Sequence, residues 1–133
     1  AADARVPVRV VDGVADRLPA DDGSVDAGVA SLVLCTVPDP DAALAELRRV
    51  IRPGGELRFY EHVVSRRPGA ARVERALDAT IYPHLSGGCH LARDTLAAIE
   101  RADFEIRSSR RFPFGPSALG PQVAHILGTA SRS

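Results

Sequence analysis

The side chains of this 133-residue chain best suited to chemistry are two cysteines, four histidines and a few carboxylates and tyrosines. Cys35 closes a nearly unbroken apolar run, where a small packed thiol outweighs a nucleophile. Glu61 and His62 end the stretch "ELRFYEHV". They read as a polar rim bonded to loops, or else His62 serves as a base toward an acidic acceptor, since imidazole titrates near neutrality. Tyr82, His84, Cys89 and His90 follow within nine positions. Cys89 and His90 are adjacent, so their side chains diverge. With His84 they still lack a fourth ligand, and the spacing indicates no metal site. Tyr82, His84 and His90 are better suited to lining a small-molecule acceptor pocket, and His125 reads as a core or edge histidine. No nucleophile–base pairing with triad logic stands out.

These residues need a scaffold. "VPVRVV" (Val6–Val11) is β-branched and partly alternating, which predicts a strand. "VDAGVASLVL" (Val25–Leu34) is almost continuously apolar, as in a strand covered on both faces. Asp39 and Pro40 open a helix whose Leu44, Leu47 and Ile51 share a face, with arginines in its last turn. "RPGG" stops it with a Pro-Gly pair suited to a type II turn. "ELRFYEHV" is the next strand. A helix is expected from Ala70 to about Ile81, burying Val73, Leu77 and Ile81 and ended by Pro83. Another runs from about Arg93 to Ala102 around Leu96 and Ile99. "FEIRSSRRF" and "QVAHILGTA" read as closing strands joined by "GPSALGP". Alternation in the middle predicts α/β architecture with parallel strands. Two final strands without a helix between them predict an antiparallel edge pair. Ser31 and Leu32 then sit at a strand's carboxyl end, where open α/β sheets bind ligands.

Bulk properties narrow the class. Seventeen basic residues balance seventeen acidic ones, unlike the basic footprint of nucleic-acid binders. All the basic residues are arginine and they are scattered, which fits compositional bias rather than a phosphate patch. The cysteines form no CxxC pair, and a reducing, cytoplasmic setting is the default expectation. The longest apolar stretch, Ala27–Val37, is too short to span a bilayer, so no membrane partner is expected in this segment.

The block from Gly13 to Val63 resembles the centre of class I S-adenosylmethionine-dependent methyltransferases. Their pattern Gly-x-Ala-Glu-x-Leu-Pro is met by Gly13, Ala15, Asp16, Leu18 and Pro19. Asp22, Ser24, Val25 and Asp26 match Asp-x-Ser-Phe-Asp, with Asp26 in a mostly structural role. Arg49, Val50, Ile51, Pro53, Gly54 and Gly55 match Arg-Val-Leu-x-Pro-Gly-Gly. "LVLCTV", "EHV" and "GGCHLARDTLAAIERADF" are similar to the methyltransferase-like 7 group, whose animal members are regarded as alkyl-thiol S-methyltransferases. The resemblance implies a Rossmann-like methyltransferase fold in the strand order 3-2-1-4-5-7-6 and S-adenosylmethionine as cofactor. It places Gly13, Val14, Ala15, Asp16, Ser31 and Leu32 at the cofactor, and Cys35, Glu61, His62, Tyr82 and His90 around the acceptor. Val14 departs from the family's Asp, so the adenine contact falls to Asp16 or to backbone near Ala15. Ala92 stands where a Thr would cap the third helix, an expected loss of ~1 kcal/mol.

One absence weighs more. No GxGxG precedes Val6. By resemblance the chain opens just before the third strand, as one partial domain over residues 1–133. The fold is then incomplete, with its first two strands absent. Val6–Val11 is expected to lose its native place, and the next strand to present a raw edge open to self-association. Little activity is expected of the chain alone. Methyl transfer itself needs no triad: it is a direct displacement helped by alignment, and a thiol acceptor needs little beyond deprotonation. The rival expectation is a non-catalytic binding or dimerisation module; half of a nicotinamide-binding domain fits less well because of the closing antiparallel pair.

Overall fold

A computed structural model describes residues 5–115 and 122–133. Its elements run β1 (Val25–Ser31), α1 (Pro40–Val50), β2 (Ile51–His62), α2 (Pro68–Asp78), α3 (Tyr82–Leu85), α4 (Thr95–Arg101), β3 (Phe104–Phe114) and β4 (Val123–Arg132). They form one four-stranded sheet in the order β1-β2-β4-β3. β1 is parallel to β2, whereas β4 is antiparallel to both β2 and β3. This is the expected 4-5-7-6 portion of the family's order, with the antiparallel pair at one edge. Most of the expected "GPSALGP" connection lies outside the described residues.

The α1 helix begins as its residues dictate. Asp39 accepts the Ala42 N–H at 2.9 Å, and Pro40 occupies the first turn. Leu44 and Val50 are buried, as is Ile51, the first residue of β2. Gly54 takes φ +76, the left-handed geometry that the third position of a type II turn requires. Gly55 must lack a side chain: a Cβ would lie 2.5 Å from Ile51 Cγ2 and 2.7 Å from the Asp26 carbonyl oxygen.

Alternation along β2 buries Leu57, Phe59, Glu61 and Val63 on one face. With Ala30, Ile126 and Ala130 they form the core beneath α1 and α4. The opposite face is open. Val29 is 74% exposed and Leu127 45%. Strand β1 is therefore covered on one face, not two, and ends at Ser31, not Leu34. The apolar run asks for a second cover that the described residues do not supply.

Other expectations are corrected. Val6–Val11 forms no strand; it lies outside the sheet with its valines exposed, because no strand flanks β1's outer edge among the described residues. The helix expected over 70–81 is displaced to Pro68–Asp78 and buries only Ala71, while Val73 and Ile81 stay exposed. Pro83 does not terminate that helix but stands in the first turn of α3, where its missing N–H costs nothing. The last helix starts at Thr95, and Asp94 caps it by accepting the Ala97 N–H at 3.2 Å. Ala92 therefore carries no capping loss.

The loop ahead of β1 is clamped to α1. Glu46 accepts from Leu18 N–H and from Arg49 Nε and Nη2, and Arg49 also donates to the Leu18 carbonyl and to Asp22. These bonds, Arg49 foremost, hold the Glu46 carboxyl down at about 2. A depressed carboxylate adds stability that is present above its ordinary value near 4.5 and is lost as pH falls toward 2. Urea unfolding at stepped pH should show that loss in the parent chain, whereas Glu46→Gln should be less stable at neutral pH and flatter across the window. A Glu46→Gln profile identical to the parent's would refute the clamp.

Candidate active site

Both expected site halves gather at the carboxyl ends of β1 and β2. After Ser31, Leu32 takes φ +54, a strained left-handed geometry for a branched side chain, and its N–H donates to the Tyr60 carbonyl at 2.7 Å. The backbone then turns sharply across the sheet end. Glu61 makes that turn possible. It has no solvent exposure, and its Oε1 accepts the N–H groups of Val33 and Leu34, both at 3.0 Å, while Oε2 accepts that of Cys35 at 3.1 Å. Arg93 secures the far side, donating to the carbonyls of Leu34 and Val37, each at 2.7 Å. His90 N–H adds a bond to the Cys35 carbonyl at 2.8 Å.

The residues expected at the cofactor's adenine lie against the end of that turn. Val14, Ala15 and Asp16 line a recess of about 330 Å³ with Val37, Pro38 and Asp39. Its walls are mainly apolar, with two carboxylates among them. A short bridge between Val14 and Arg17, together with the Glu46 clamp, fixes the backbone there. Gly13 lies just ahead, packed against Pro19 so closely that a Cβ would come within 2.8 Å of Pro19 Cδ. Ser31 is exposed at its strand end, outside the recess lining.

The residues expected around the acceptor are divided by the alternation of β2. Glu61 points into the core, where it supports the turn and offers no oxygen to solvent. His62 points the other way, and its Nδ1 is 3.1 Å from Cys89 Sγ. Cys89 Sγ is in turn 3.5 Å from Cys35 Sγ. Both cysteines are free thiols, 1% and 8% exposed. Burial pushes the Cys35 thiol up to about 12, which makes it a poor nucleophile, as its sequence context predicts. Burial, and then the neighbouring His125, lower the pKa of His62. Tyr82 is raised, first by burial and then by Cys89, Asp78 and Cys35, so it stays a neutral phenol. His125 is buried, stacks on Tyr60 at 5.4 Å and donates from Nδ1 to the Val123 carbonyl: a core histidine.

Two positioning residues escaped the sequence reading. Asp78 accepts the N–H groups of Leu91 and Ala92 at 2.7 and 2.9 Å and faces His90 Nδ1 at 3.6 Å, so it seats the loop that carries Cys89. Arg93 is the other. An aspartate in a helix's last turn and one arginine among many carry no local signal of such roles. The nearness of Cys35, His62 and Cys89 was equally hidden by sequence separations of 27 and 54 residues.

Residues 1–59 match the methyltransferase domain family. The chain is 42% identical over 112 residues to a thiol S-methyltransferase, TMT1B, of Mus musculus, an alignment covering 84% of this chain and 45% of that protein. It is 38% identical over 103 residues to the ubiquinone/menaquinone biosynthesis C-methyltransferase UbiE of Methylobacterium nodulans, covering 77% and 38% of the two chains. It thus spans less than half of either relative. The crystal structure of a SAM-dependent methyltransferase from Methanosarcina mazei superposes with a TM-score of 0.68 at 22% identity, covering 90% of this chain and 65% of that one, and shares the fold.

Glu61→Ala would strand three backbone donors at the turn, at roughly 1–3 kcal/mol for each one left buried without a partner. Chemical denaturation should show a loss of at least ~3 kcal/mol, a large share of the ~5–15 kcal/mol typical of a domain. Glu61→Gln, which keeps an acceptor oxygen, should lose clearly less. Equal losses would show that the hydrogen bonds do not set the cost.

Proposed function

We propose that this chain, whose residues 1–59 match the methyltransferase domain family, forms the adenine wall and acceptor side of a site for methyl transfer from S-adenosylmethionine to a small thiol. The observation that carries the acceptor class is the 42% identity to a thiol S-methyltransferase across 84% of the chain. The recess beside Ala15 and Asp16 fits the cofactor's adenine end. Its apolar walls of Val14, Ala15, Val37 and Pro38 suit a flat ring, and Asp16 supplies an acceptor for an exocyclic amino group. The ribose and methionine ends need a close backbone approach and a hydroxyl-binding carboxylate. No glycine-rich GxGxG turn occurs within these 133 residues to provide that approach.

When bound, the cofactor supplies an electrophilic sulfonium methyl. The chain's own residues position and shield. Glu61 and Arg93 hold the 33–37 turn rigid at the sheet end, so a bound acceptor meets a preformed wall. That rigidity matters because displacement depends on alignment more than on proton transfer. Tyr82 and His90, near the buried thiols, flank the acceptor side, with Tyr82 as a hydrogen-bond donor.

A second reading is favoured by β1, whose outer edge has no partner strand among the described residues. Such an edge invites pairing with another copy. Calorimetry with S-adenosylmethionine separates the two, on this chain and on a version carrying a glycine-rich strand–turn segment ahead of residue 1. Under the methyl-transfer reading the extended version binds, Asp16→Ala weakens it roughly tenfold or more, and it methylates an alkyl thiol in preference to the matching alcohol. Absence of binding in both, with a concentration-dependent dimer by sedimentation, would favour the module.

A further inference from the structure

We propose that Cys35, His62 and Cys89 form a binding site for one thiophilic divalent cation of the zinc type. The three residues come from the turn after β1, the end of β2 and the loop after α3. Their ligand atoms all lie within 4.8 Å of one another. The sulfurs are 3.5 Å apart, and Cys89 Sγ is 3.1 Å from His62 Nδ1. Tetrahedral zinc, with Zn–S near 2.3 Å and Zn–N near 2.0–2.1 Å, sets sulfurs about 3.8 Å apart and sulfur and nitrogen about 3.6 Å apart. The two edges at Cys89 are therefore a few tenths of an ångström short of that geometry, and a modest side-chain adjustment brings the three ligands around one ion.

Simple packing of two cysteines as small apolar residues does not account for an imidazole aimed at the same point. Each thiol is also held by its backbone. Cys35 is fixed through its N–H on Glu61 and its carbonyl under His90 N–H. Cys89 follows Gly87 and Gly88, at φ +65 and +91, a left-handed pair that turns the chain back over Thr36. Ser86 Oγ then donates to the Cys89 carbonyl at 3.1 Å. A set of two buried sulfurs and one half-buried imidazole favours zinc-like ions over magnesium or calcium, which take oxygen ligands. Three ligands among the described residues leave one tetrahedral position to a further donor, the arrangement of zinc sites that bind a reactant.

Cobalt(II) reports this coordination directly. Reduced, chelator-treated chain titrated with cobalt(II) under argon should take up one ion, with thiolate-to-cobalt charge-transfer absorption and tetrahedral d–d bands. Zinc(II) should bleach both at one equivalent. Cys35→Ser and Cys89→Ser should each abolish the charge-transfer intensity contributed by that thiolate and weaken uptake at least tenfold, as should His62→Asn, whereas His84→Asn should behave as the parent. Circular dichroism confirms that each variant is folded. Should a variant fail to fold, alkylation of the parent decides: zinc should protect both thiols from iodoacetamide under native conditions. Folded, reduced chain without thiolate–cobalt bands, bands unchanged in Cys89→Ser, or alkylation unaffected by zinc would each overturn the site. None of these readouts involves methyl transfer, so the outcome stands apart from the proposed activity.

Discussion

The carboxylate of Glu61 is the group on which the site's geometry depends. A chain leaving a β-strand and turning across the sheet end exposes several backbone donors at once, and here those of Leu34 and Cys35 are buried. Two oxygens of one side chain satisfy three of them, at Val33, Leu34 and Cys35. Because Glu61 sits on β2, the neighbouring parallel strand, the turn after β1 is indexed to the sheet and not merely to its own strand. Cys35 is thereby placed against Cys89, and residues 37–39 are placed opposite Ala15 and Asp16. Arg93 closes the same turn from the other side, so an element some sixty residues away shares in its shape.

The clamp of Glu46 and Arg49 plays the corresponding part for the loop ahead of β1. Both residues lie on α1, the helix that also shields the core. One helix thus covers the sheet and fixes a loop that has little core of its own. This couples the recess to the packing of α1: loosening the helix would loosen the wall of the proposed adenine pocket.

Much of this was legible locally. Asp39-Pro40 at the start of α1 and the Pro-Gly turn are local backbone effects, and they formed as read, although Ile51, expected on the helix face, opens β2 instead. The antiparallel closing pair followed from two strands without an intervening helix. The misses have a common cause. Val6–Val11 has strand chemistry, but a strand needs a neighbour to pair with, and none flanks β1 among the described residues. Val73 and Ile81 have helical spacing, but spacing names a face without naming what will cover it. No helix among the described residues is long and apolar enough to cross a membrane, in keeping with the short apolar run.

By itself the sequence determined the type of most elements, the Asp39 cap, the Pro-Gly turn and the likeness to the methyltransferase domain family, since each rests on residues close together in the chain. Tertiary structure alone decided which carboxylates are bonded inside the fold, as Glu61 is, and which are left exposed, as Asp16 is. Glu61 and His62 are neighbours in sequence, yet the two-residue period of a strand sends one into the core and the other toward Cys89. It also decided that Cys35, His62 and Cys89 converge. Parallel strands bring their carboxyl ends to one edge whatever their separation along the chain, so the chemistry of that edge is a property of the sheet, invisible to spacing.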